Sequence, residues 1–239
     1  AKYDLKDYKG AISDYTKAIE IDPNYAYAYS NRGLTKYYLE DNKGAIEDYT
    51  KAIEIDPNDE YAFYNRGFSK AKLEDYKEAI SDYTKAIEIN PNYFKAYYNR
   101  GFAKDDLKDY KGAISDYTKA IALVPNNAYA YSNRGLAKYD LKDYKGAISD
   151  YTKAIEIDPN NAFAYSNRGL AKDDLKDYKG AIEDFTKAIE INPNYSNAYK
   201  NRGASKENLG DLSDACADWR KAANFGDTDS AERVENQCN

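Results

Sequence analysis

The tripeptide Asn-Arg-Gly occurs six times in the 239-residue chain, and each copy begins 34 residues after the previous one. The prolines keep the same period, so none interrupts the interior of a unit; they are Pro23, Pro57, Pro91, Pro125, Pro159 and Pro193. A fixed period of this length is typical of a solenoid, in which each repeated unit contacts only its neighbours. The period therefore predicts one continuous stack of similar units.

Each period contains two helical patterns. Within residues 26–59, apolar side chains recur at steps of three and four residues in two segments, which the polar turn Glu40-Asp41-Asn42 separates. The second segment ends at Asp56-Pro57, because the residue before a proline is disfavoured in the helical region. The pattern predicts two helices of about 13 residues joined by a tight turn, which is an antiparallel helix hairpin.

Several positions hold the same residue type in every unit. Glycine recurs inside the first helix, from Gly33 to Gly203, although it costs about 1 kcal/mol there relative to alanine. An alanine column in the second helix, from Ala11 to Ala215, is expected to face it, so that the two backbones cross closely. Two columns of large residues are predicted to fill the gaps between helices; they run from Tyr15 to Trp219 and from Leu5 to Leu209.

Glycine, alanine, an aromatic residue, alanine and proline at these offsets in a 34-residue unit resemble the tetratricopeptide repeat. The resemblance implies an all-α fold, an α-solenoid of stacked antiparallel hairpins that forms a right-handed superhelix with the first helices on its concave face. It divides the chain into a partial repeat at 1–25, full repeats at 26–59, 60–93, 94–127, 128–161 and 162–195, and a divergent last repeat at 196–229.

An arginine column departs from the family pattern, which usually has leucine before the glycine of the first helix. It runs from Arg32 to Arg202, and an aspartate column from Asp14 to Asp218 accompanies it in the second helix. We hypothesise that the two columns pair as a ladder of partly buried ion pairs. Two further invariant columns are interpreted as solvated faces and turn chemistry; they are the lysines from Lys2 to Lys206 and the aspartates from Asp7 to Asp211.

The chain changes pattern after Ala223, where Asn-Phe-Gly-Asp-Thr-Asp indicates a helix stop at Gly226 followed by a new helix start. A short capping helix over residues 230–239 is expected to cover the last hairpin. Its covering face is predicted to hold Ala231, Val234 and Cys238, with Glu232, Arg233 and Glu235 on the outer face. The amino-terminal end begins partway through a repeat and shows no comparable cover, so we expect an upstream segment to be missing.

The two cysteines are Cys216 in the last repeat and Cys238 in the predicted cap. Packing of the cap on the last second helix would bring them together. Two interpretations stay open, a buried small hydrophobe with a separate tail thiol, or a disulfide that pins the cap. A zinc site is disfavoured because the chain has no histidine.

The candidate binding surface is one face of the first helices. In the unit 26–59 this face carries residues 27, 30, 31, 34 and 37, apart from the face of Tyr29 and Gly33. The repeats differ at these positions, and aromatic side chains are most frequent in 60–93 and 94–127. The predicted groove residues are Tyr27, Asn31, Tyr61, Tyr64, Asn65, Phe68, Lys95, Tyr98, Asn99, Phe102, Tyr129, Asn133, Phe163 and Asn167.

The asparagine column from Asn31 to Asn201 has two interpretations. An amide offers a donor and an acceptor, which an extended peptide backbone requires, and in the resembling family this asparagine holds ligand backbone. It can equally bond within its helix or to a neighbouring repeat. One subclass of the family clamps a carboxyl terminus with lysines and asparagines, and Leu34, Phe68 and Leu136 replace the asparagines that such a clamp needs.

Composition narrows the function classes. A net charge of −6 opposes nucleic-acid binding, and no apolar run approaches the roughly 18 residues of a membrane helix. The sequence contains no nucleophile motif and no phosphate-binding loop, so neither an enzyme nor a cofactor is predicted. The predicted function is a scaffold that binds a protein or peptide segment. The alternative is end-to-end self-association through the amino-terminal repeat. The compartment stays open: the sequence shows no signal peptide, which slightly favours the cytoplasm, and a targeting segment upstream of residue 1 is the alternative.

Overall fold

The computed structural model describes residues 7–238. In this range every regular element is an α-helix, and fourteen helices follow one another: α1 Tyr8–Ile21, α2 Ala26–Tyr38, α3 Asn42–Ile55, α4 Glu60–Lys72, α5 Tyr76–Ile89, α6 Phe94–Asp106, α7 Tyr110–Leu123, α8 Ala128–Asp140, α9 Tyr144–Ile157, α10 Ala162–Asp174, α11 Tyr178–Ile191, α12 Ser196–Asn208, α13 Leu212–Asn224 and α14 Thr228–Gln237. They form two compact units, Ala1–Val124 and Pro125–Asn239.

Each unit is a stack of helix hairpins. In the first unit α1 packs on α2, and the hairpins α2/α3, α4/α5 and α6/α7 follow, each second helix packing on the first helix of the next hairpin. In the second unit the hairpins α8/α9, α10/α11 and α12/α13 pack in the same way, and α14 packs on α13. The predicted all-α solenoid of hairpins with a carboxyl-terminal capping helix is confirmed.

The turns are built from the invariant aspartates at the start of the second helices. The Asp41 side chain accepts a hydrogen bond from the Gly44 backbone N–H at 2.9 Å, which caps α3. The preceding first helix ends on a left-handed residue, Glu40 with φ 63° in the first unit and Gly210 with φ 85° in the last hairpin. The interpretation of the aspartates from Asp41 onward as turn residues is therefore confirmed where these caps form.

The glycine column permits the close crossing of the two helices of a hairpin. A Cβ atom on Gly33 would lie 3.1 Å from Cε1 of Tyr49 and 3.2 Å from the Ala45 carbonyl oxygen, tighter than ordinary contacts. The aromatic column fills the space beside it and is buried, as the sequence predicts; its fully buried members are Tyr49, Tyr83, Tyr117, Tyr151, Phe185 and Trp219.

The leucine column is not part of the core, and this prediction was wrong from Leu39 onward. These leucines are 41–46% exposed; they are Leu39, Leu73, Leu107, Leu141, Leu175 and Leu209. Each is the residue that follows the last turn of a first helix, where the chain bends toward the second helix. The side chain therefore covers the edge of the hairpin and stays partly in water.

The arginine and aspartate columns form buried ion groups inside each hairpin. Arg66 Nη2 and Nε donate to the two carboxylate oxygens of Asp82 at 2.6 and 2.9 Å. Lys70 Nζ lies 2.9 Å from the same carboxylate, and Arg66 Nη1 donates to Thr50 Oγ1 of the preceding hairpin at 3.2 Å. The hypothesised ion pairs are present, and a threonine of the preceding hairpin bonds to the arginine of such a pair. Only 3% of the Asp82 side chain is exposed, so Arg66 and Lys70 both pair with a buried carboxylate.

The lysine column therefore needs a correction. It was interpreted as a solvated face, yet the side chains of its described members from Lys36 onward are 15–21% exposed and reach the buried aspartates. The long lysine stem lets the ammonium group follow the hairpin interior to Asp48 or its equivalent. Lys2, with Leu5 and the rest of 1–6, lies outside the described residues, as does part of the predicted self-association surface.

The capping helix packs on the last hairpin through a face that differs from the prediction. Val234 and Cys238 contact the cluster of Ala215, Cys216 and Trp219, but Ala231 is exposed. Arg233, predicted to point outward, lies with its guanidinium carbon 5.0 Å from the centre of the Trp219 ring. The indole thus attracts a cation that a simple apolar pattern assigns to solvent.

Cys216 and Cys238 form a disulfide in the structure, with their Cα atoms 5.6 Å apart. The bond joins α13 to the residue that follows α14, so it ties the capping helix to the last hairpin. In residues 7–238 no helix has both the length and the apolar composition that a membrane crossing requires.

Candidate functional site

A cavity of about 430 Å³ opens in the first unit between the hairpins α4/α5 and α6/α7. Its lining residues are Phe68, Ala71, Lys72, Glu74, Tyr76, Tyr83, Tyr98, Asn99 and Phe102. Four of them were predicted as groove residues from one face of the first helices: Phe68, Tyr98, Asn99 and Phe102. The size is within the usual range for sites that hold small ligands or single side chains.

An aromatic network forms the wall beside this cavity, with Tyr64 at its centre. The Tyr64 ring lies 5.0 Å from the Tyr93 ring, 5.8 Å from Tyr83 and 6.2 Å from Phe68, measured between centroids. The Tyr37 ring of α2 meets Phe68 edge-on at 5.5 Å. Such pairs stabilise one another beyond the area that they bury, so the wall is a packed surface set before any ligand binds.

A hydrogen bond connects this wall to the next hairpin. Asn99 Nδ2 of α6 donates to the Tyr64 hydroxyl of α4 at 2.9 Å. Burial raises the pKa of the Tyr64 phenol to about 12, and the bond from Asn99 opposes part of that rise. The amide nitrogen is thus engaged with a neighbouring repeat, and the Asn99 oxygen has no hydrogen-bond partner in residues 7–238.

Tyr83 is a buried residue of the cavity lining. It is 1% exposed and lines the cavity, and no residue of the described range hydrogen-bonds to its hydroxyl. Burial, followed by the neighbouring phenol of Tyr64, raises the Tyr83 pKa far above its ordinary value. The phenol therefore stays protonated and can both donate and accept a hydrogen bond.

The rim of the cavity mixes apolar and charged groups. Phe102 is 48% exposed, an unusual state for a large aromatic side chain beside a cavity. Lys72 Nζ lies 5.6 Å from the centre of the Phe68 ring, and Glu74 also lines the cavity. The exposed apolar area and the two charges together provide contacts for a larger molecule.

Other predicted groove residues of the first unit lie apart from the cavity lining. Tyr27 and Tyr61 are 64% and 60% exposed near the start of their helices, and Lys95 is exposed in the same position of α6. The Asn31 amide donates within its own helix to the Tyr27 carbonyl at 2.7 Å, which is the intrahelical alternative. Asn65 is partly buried on α4.

The second unit has a different surface at the same repeat positions. Serines replace Tyr64 and Tyr98, and Ser132 and Ser166 are each only 2% exposed. Tyr129 remains 69% exposed and Phe163 43% exposed. The remaining predicted residues of this unit are Asn133 on α8 and Asn167 on α10, and the Asn167 amide nitrogen is buried with no partner in the described range.

Carboxylates are prominent on the first helices of the second unit. The Tyr139 hydroxyl donates to Asp174 at 2.6 Å, and Ser205 Oγ donates to Asp173. Burial raises the pKa of Asp173, the charge of Asp174 adds to the rise, and the serine bond opposes it. Burial also raises the pKa of Asp140. This face therefore holds partly buried negative charge, and the first unit has the equivalent acidic pair, Asp105 and Asp106, on α6.

Sequence reasoning left three aromatic residues of the site out of the predicted groove set. Tyr83 was assigned to the core, which its 1% exposure confirms, but it also lines the cavity. Tyr93 ends the loop before α6, so no spacing within one helix points to it. Tyr37 lies on the predicted face of α2 but was not chosen as a groove residue. A signal for Tyr37 existed in the variable column that contains it, because it differs between repeats as the other groove positions do.

Family models match most of the chain. A model of the tetratricopeptide repeat matches residues 26–59, 60–93, 128–161 and 162–195, together more than half of the sequence. Related repeat models match 1–39, 106–142, 82–115 and 185–217. The chain belongs to the tetratricopeptide repeat family.

Solved structures support the same assignment. YrrB, described as a tetratricopeptide repeat protein with an unusual peptide-binding site, is 28% identical with a TM-score of 0.70, over 77% of this chain and 95% of that one. MamA from Desulfovibrio magneticus is 27% identical with a TM-score of 0.68, over 71% and 96%.

A repeat protein fragment from Cytophaga hutchinsonii shares the fold, with a TM-score of 0.80 at 20% identity over 97% of this chain and 96% of that one. A search of curated proteins found no match. The fold and family together define the general class of a protein-interaction scaffold.

Proposed function

We propose that this chain is a non-catalytic scaffold that binds an extended peptide segment on the first-helix face of its first unit. The observation that carries the proposal is the cavity between α4/α5 and α6/α7, which unites Phe68, Tyr98, Asn99 and Phe102. Phe68, Tyr98 and Phe102 were selected from sequence because their positions vary between repeats, and Asn99 because its invariant amide can bond to a peptide backbone. Variation confined to one face is expected of a recognition surface.

The chemistry of the cavity supports a peptide partner. Aromatic side chains are enriched among the residues that dominate binding energy at protein interfaces, and Phe102 is half exposed beside a packed aromatic wall. The net charge of −6 favours a protein over a nucleic acid. Binding in a groove also agrees with the likeness to YrrB, whose own description includes a peptide-binding site.

Selection from a random-peptide display library on the purified chain tests the proposal. The variant Phe102→Ala removes exposed aromatic area without opening a buried cavity, and Leu170→Ala truncates the equivalent position two repeats later in the second unit. Enriched peptides are expected to lose about tenfold in affinity with Phe102→Ala, because truncating a central aromatic contact costs more than about 1 kcal/mol. The Leu170→Ala chain is expected to bind within about threefold of the parent.

Peptides that bind both variants equally would contradict a site in this cavity. A complete absence of enrichment would contradict peptide binding, and sedimentation of the chain over a range of concentrations would then test the end-to-end association predicted from the sequence. Circular dichroism of both variants verifies that the helices remain folded, so that a loss of affinity reports the surface.

A further inference from the structure

We infer that the cavity of the first unit selects a tyrosine side chain of the bound segment, with its ring between Phe68 and Phe102 and its hydroxyl bonded to Tyr83 and Asn99. This inference rests on the proposed peptide-binding function and names the side chain that the site prefers.

The walls of the cavity accept an aromatic ring. Phe68, Tyr98 and Phe102 surround the opening, and Ala71 keeps the side facing α4 shallow. Aromatic rings in such surroundings stack or meet edge-on and gain energy beyond simple burial. An aliphatic side chain would bury apolar area here but would leave those ring contacts unmade.

The inner end of the cavity requires a polar group. Tyr83 lines the cavity and is 1% exposed, and no residue in the described range hydrogen-bonds to its hydroxyl. Asn99 also lines the cavity; its nitrogen is occupied by the Tyr64 hydroxyl, and its oxygen is an available acceptor. A ligand that fills the cavity without a polar tip would bury these groups unpaired, which is costly.

A phenol hydroxyl matches both groups, because it can donate to the Asn99 oxygen while it accepts from Tyr83. Phenylalanine lacks the group, and an indole N–H offers a donor without an acceptor. A phosphorylated tyrosine would bring about two negative charges next to Glu74, in a chain whose net charge is −6. Unmodified tyrosine is therefore the side chain that the cavity fits best.

The chain itself provides a mild variant to test this. Phe185 occupies the Tyr83 position three repeats later and is fully buried, so Tyr83→Phe removes one oxygen atom from a column that accepts phenylalanine. Tyr117 is the matched control. Its hydroxyl is also buried without a partner in the described range, but it does not line the cavity, so Tyr117→Phe makes the same chemical change outside the site.

The test uses two blocked pentapeptides, with tyrosine or phenylalanine at the centre and glycine and serine around it, titrated into the isotope-labelled full chain by NMR. The tyrosine peptide is expected to shift the resonances of the cavity residues and to bind roughly three- to tenfold more tightly than the phenylalanine peptide, the value of one or two hydrogen bonds. Tyr83→Phe should reduce that ratio to about one, while Tyr117→Phe should preserve it.

Equal binding of the two peptides, a ratio unchanged by Tyr83→Phe, or no shift of the cavity resonances by either peptide would overturn the tyrosine assignment. The display selection decides the proposed function separately. If the selected peptides lose affinity with Phe102→Ala but show no preference for tyrosine, the tyrosine assignment is wrong and the peptide-binding function stands. If the selected peptides bind Phe102→Ala as tightly as the parent chain, both proposals are wrong.

Discussion

The two units share the same hairpin packing and differ in the side chains on the exposed face of their first helices. In the first unit, Tyr98 lines an aromatic cavity and Tyr64 packs in the wall beside it, whereas Ser132 and Ser166 hold the same repeat position in the second unit and are almost completely buried. The columns that repeat without change hold the helices together, and those that vary set the chemistry of the face. A solenoid can therefore alter one recognition surface without altering its stacking.

The charges differ less between the two units than the aromatic side chains do. The first unit places Lys72 against Phe68 beside the cavity, but the acidic pair Asp173 and Asp174 of α10 has its counterpart in Asp105 and Asp106 of α6. The buried ion groups are also alike in both units, as Arg66–Asp82 and Arg168–Asp184 show with equal distances of 2.6 Å. The contrast between the two surfaces therefore lies mainly in the aromatic side chains.

The largest loss of stability is expected from breaking the buried arginine–aspartate pairs that both units contain. Arg66→Leu and Arg168→Leu each leave a buried aspartate with only its lysine, and each is expected to cost about 3 kcal/mol of unfolding free energy, the lower end for a broken buried pair. Equal losses in the two units, measured by denaturant unfolding, would show that the hairpin packing is common to both.

Lys85→Ala and Lys187→Ala are the matched controls. Each removes one partner of an exposed pair within a second helix, with more than half of the side chain in water, so the unfolding midpoint should not change. An increase in stability for either arginine variant would show that the ion groups are replaceable by apolar packing.

A smaller loss of stability is expected from breaking the disulfide, which ties the capping helix α14 to the last hairpin of the second unit. Cys238→Ser removes the disulfide that closes a separation of 22 residues and should cost about 2 kcal/mol, the low end of the usual range because one short helix is released. Amide exchange in α14 should accelerate while exchange in α1 to α7 stays the same.

Reduction of the parent chain should reproduce that result, since it breaks the same bond. Such bonds persist in oxidising surroundings, so a cap that stays protected after reduction would show that the Trp219 and Arg233 contacts hold α14 without the disulfide.

The smallest effect concerns the acidic surface of the second unit. Asp173→Asn keeps an acceptor for Ser205 and removes a partly buried charge, so it is expected to stabilise the chain by a few tenths of a kcal/mol at pH 7. Because the folded pKa is raised, the stability linked to the protonated carboxyl is fully present below the unfolded value of 3.8 and is lost as the pH rises through the folded value.

The parent and the variant should therefore converge in stability below about pH 3.8. Thermal unfolding at several pH values measures this difference. A variant that is less stable than the parent at pH 7 would show that the Asp173 carboxylate stabilises the face through a charge contact.

Much of the fold and part of the site could be predicted from the residues. Period, proline positions and helical spacing predicted the hairpins. The variable columns pointed to Phe68, Tyr98 and Phe102, and the invariant asparagine column pointed to Asn99. The capping helix was predicted, but the face by which it packs on the last hairpin was not. Arg233 lies over the Trp219 ring and Ala231 is exposed, the reverse of the predicted arrangement. The sequence left the two asparagine interpretations open, and Asn31 and Asn99 turned out to bond in different ways.

By itself, the sequence determined the repeated hairpin, since the spacing of small and apolar residues acts within and between adjacent helices at every copy. The tertiary structure alone decided which repeated side chains meet water. Leu39 looked like core and is half exposed, Lys70 looked solvated and reaches Asp82, and Tyr83 is buried except where it meets the cavity. Exposure depends on neighbours from the other helix and the next hairpin, which no spacing within a single helix records.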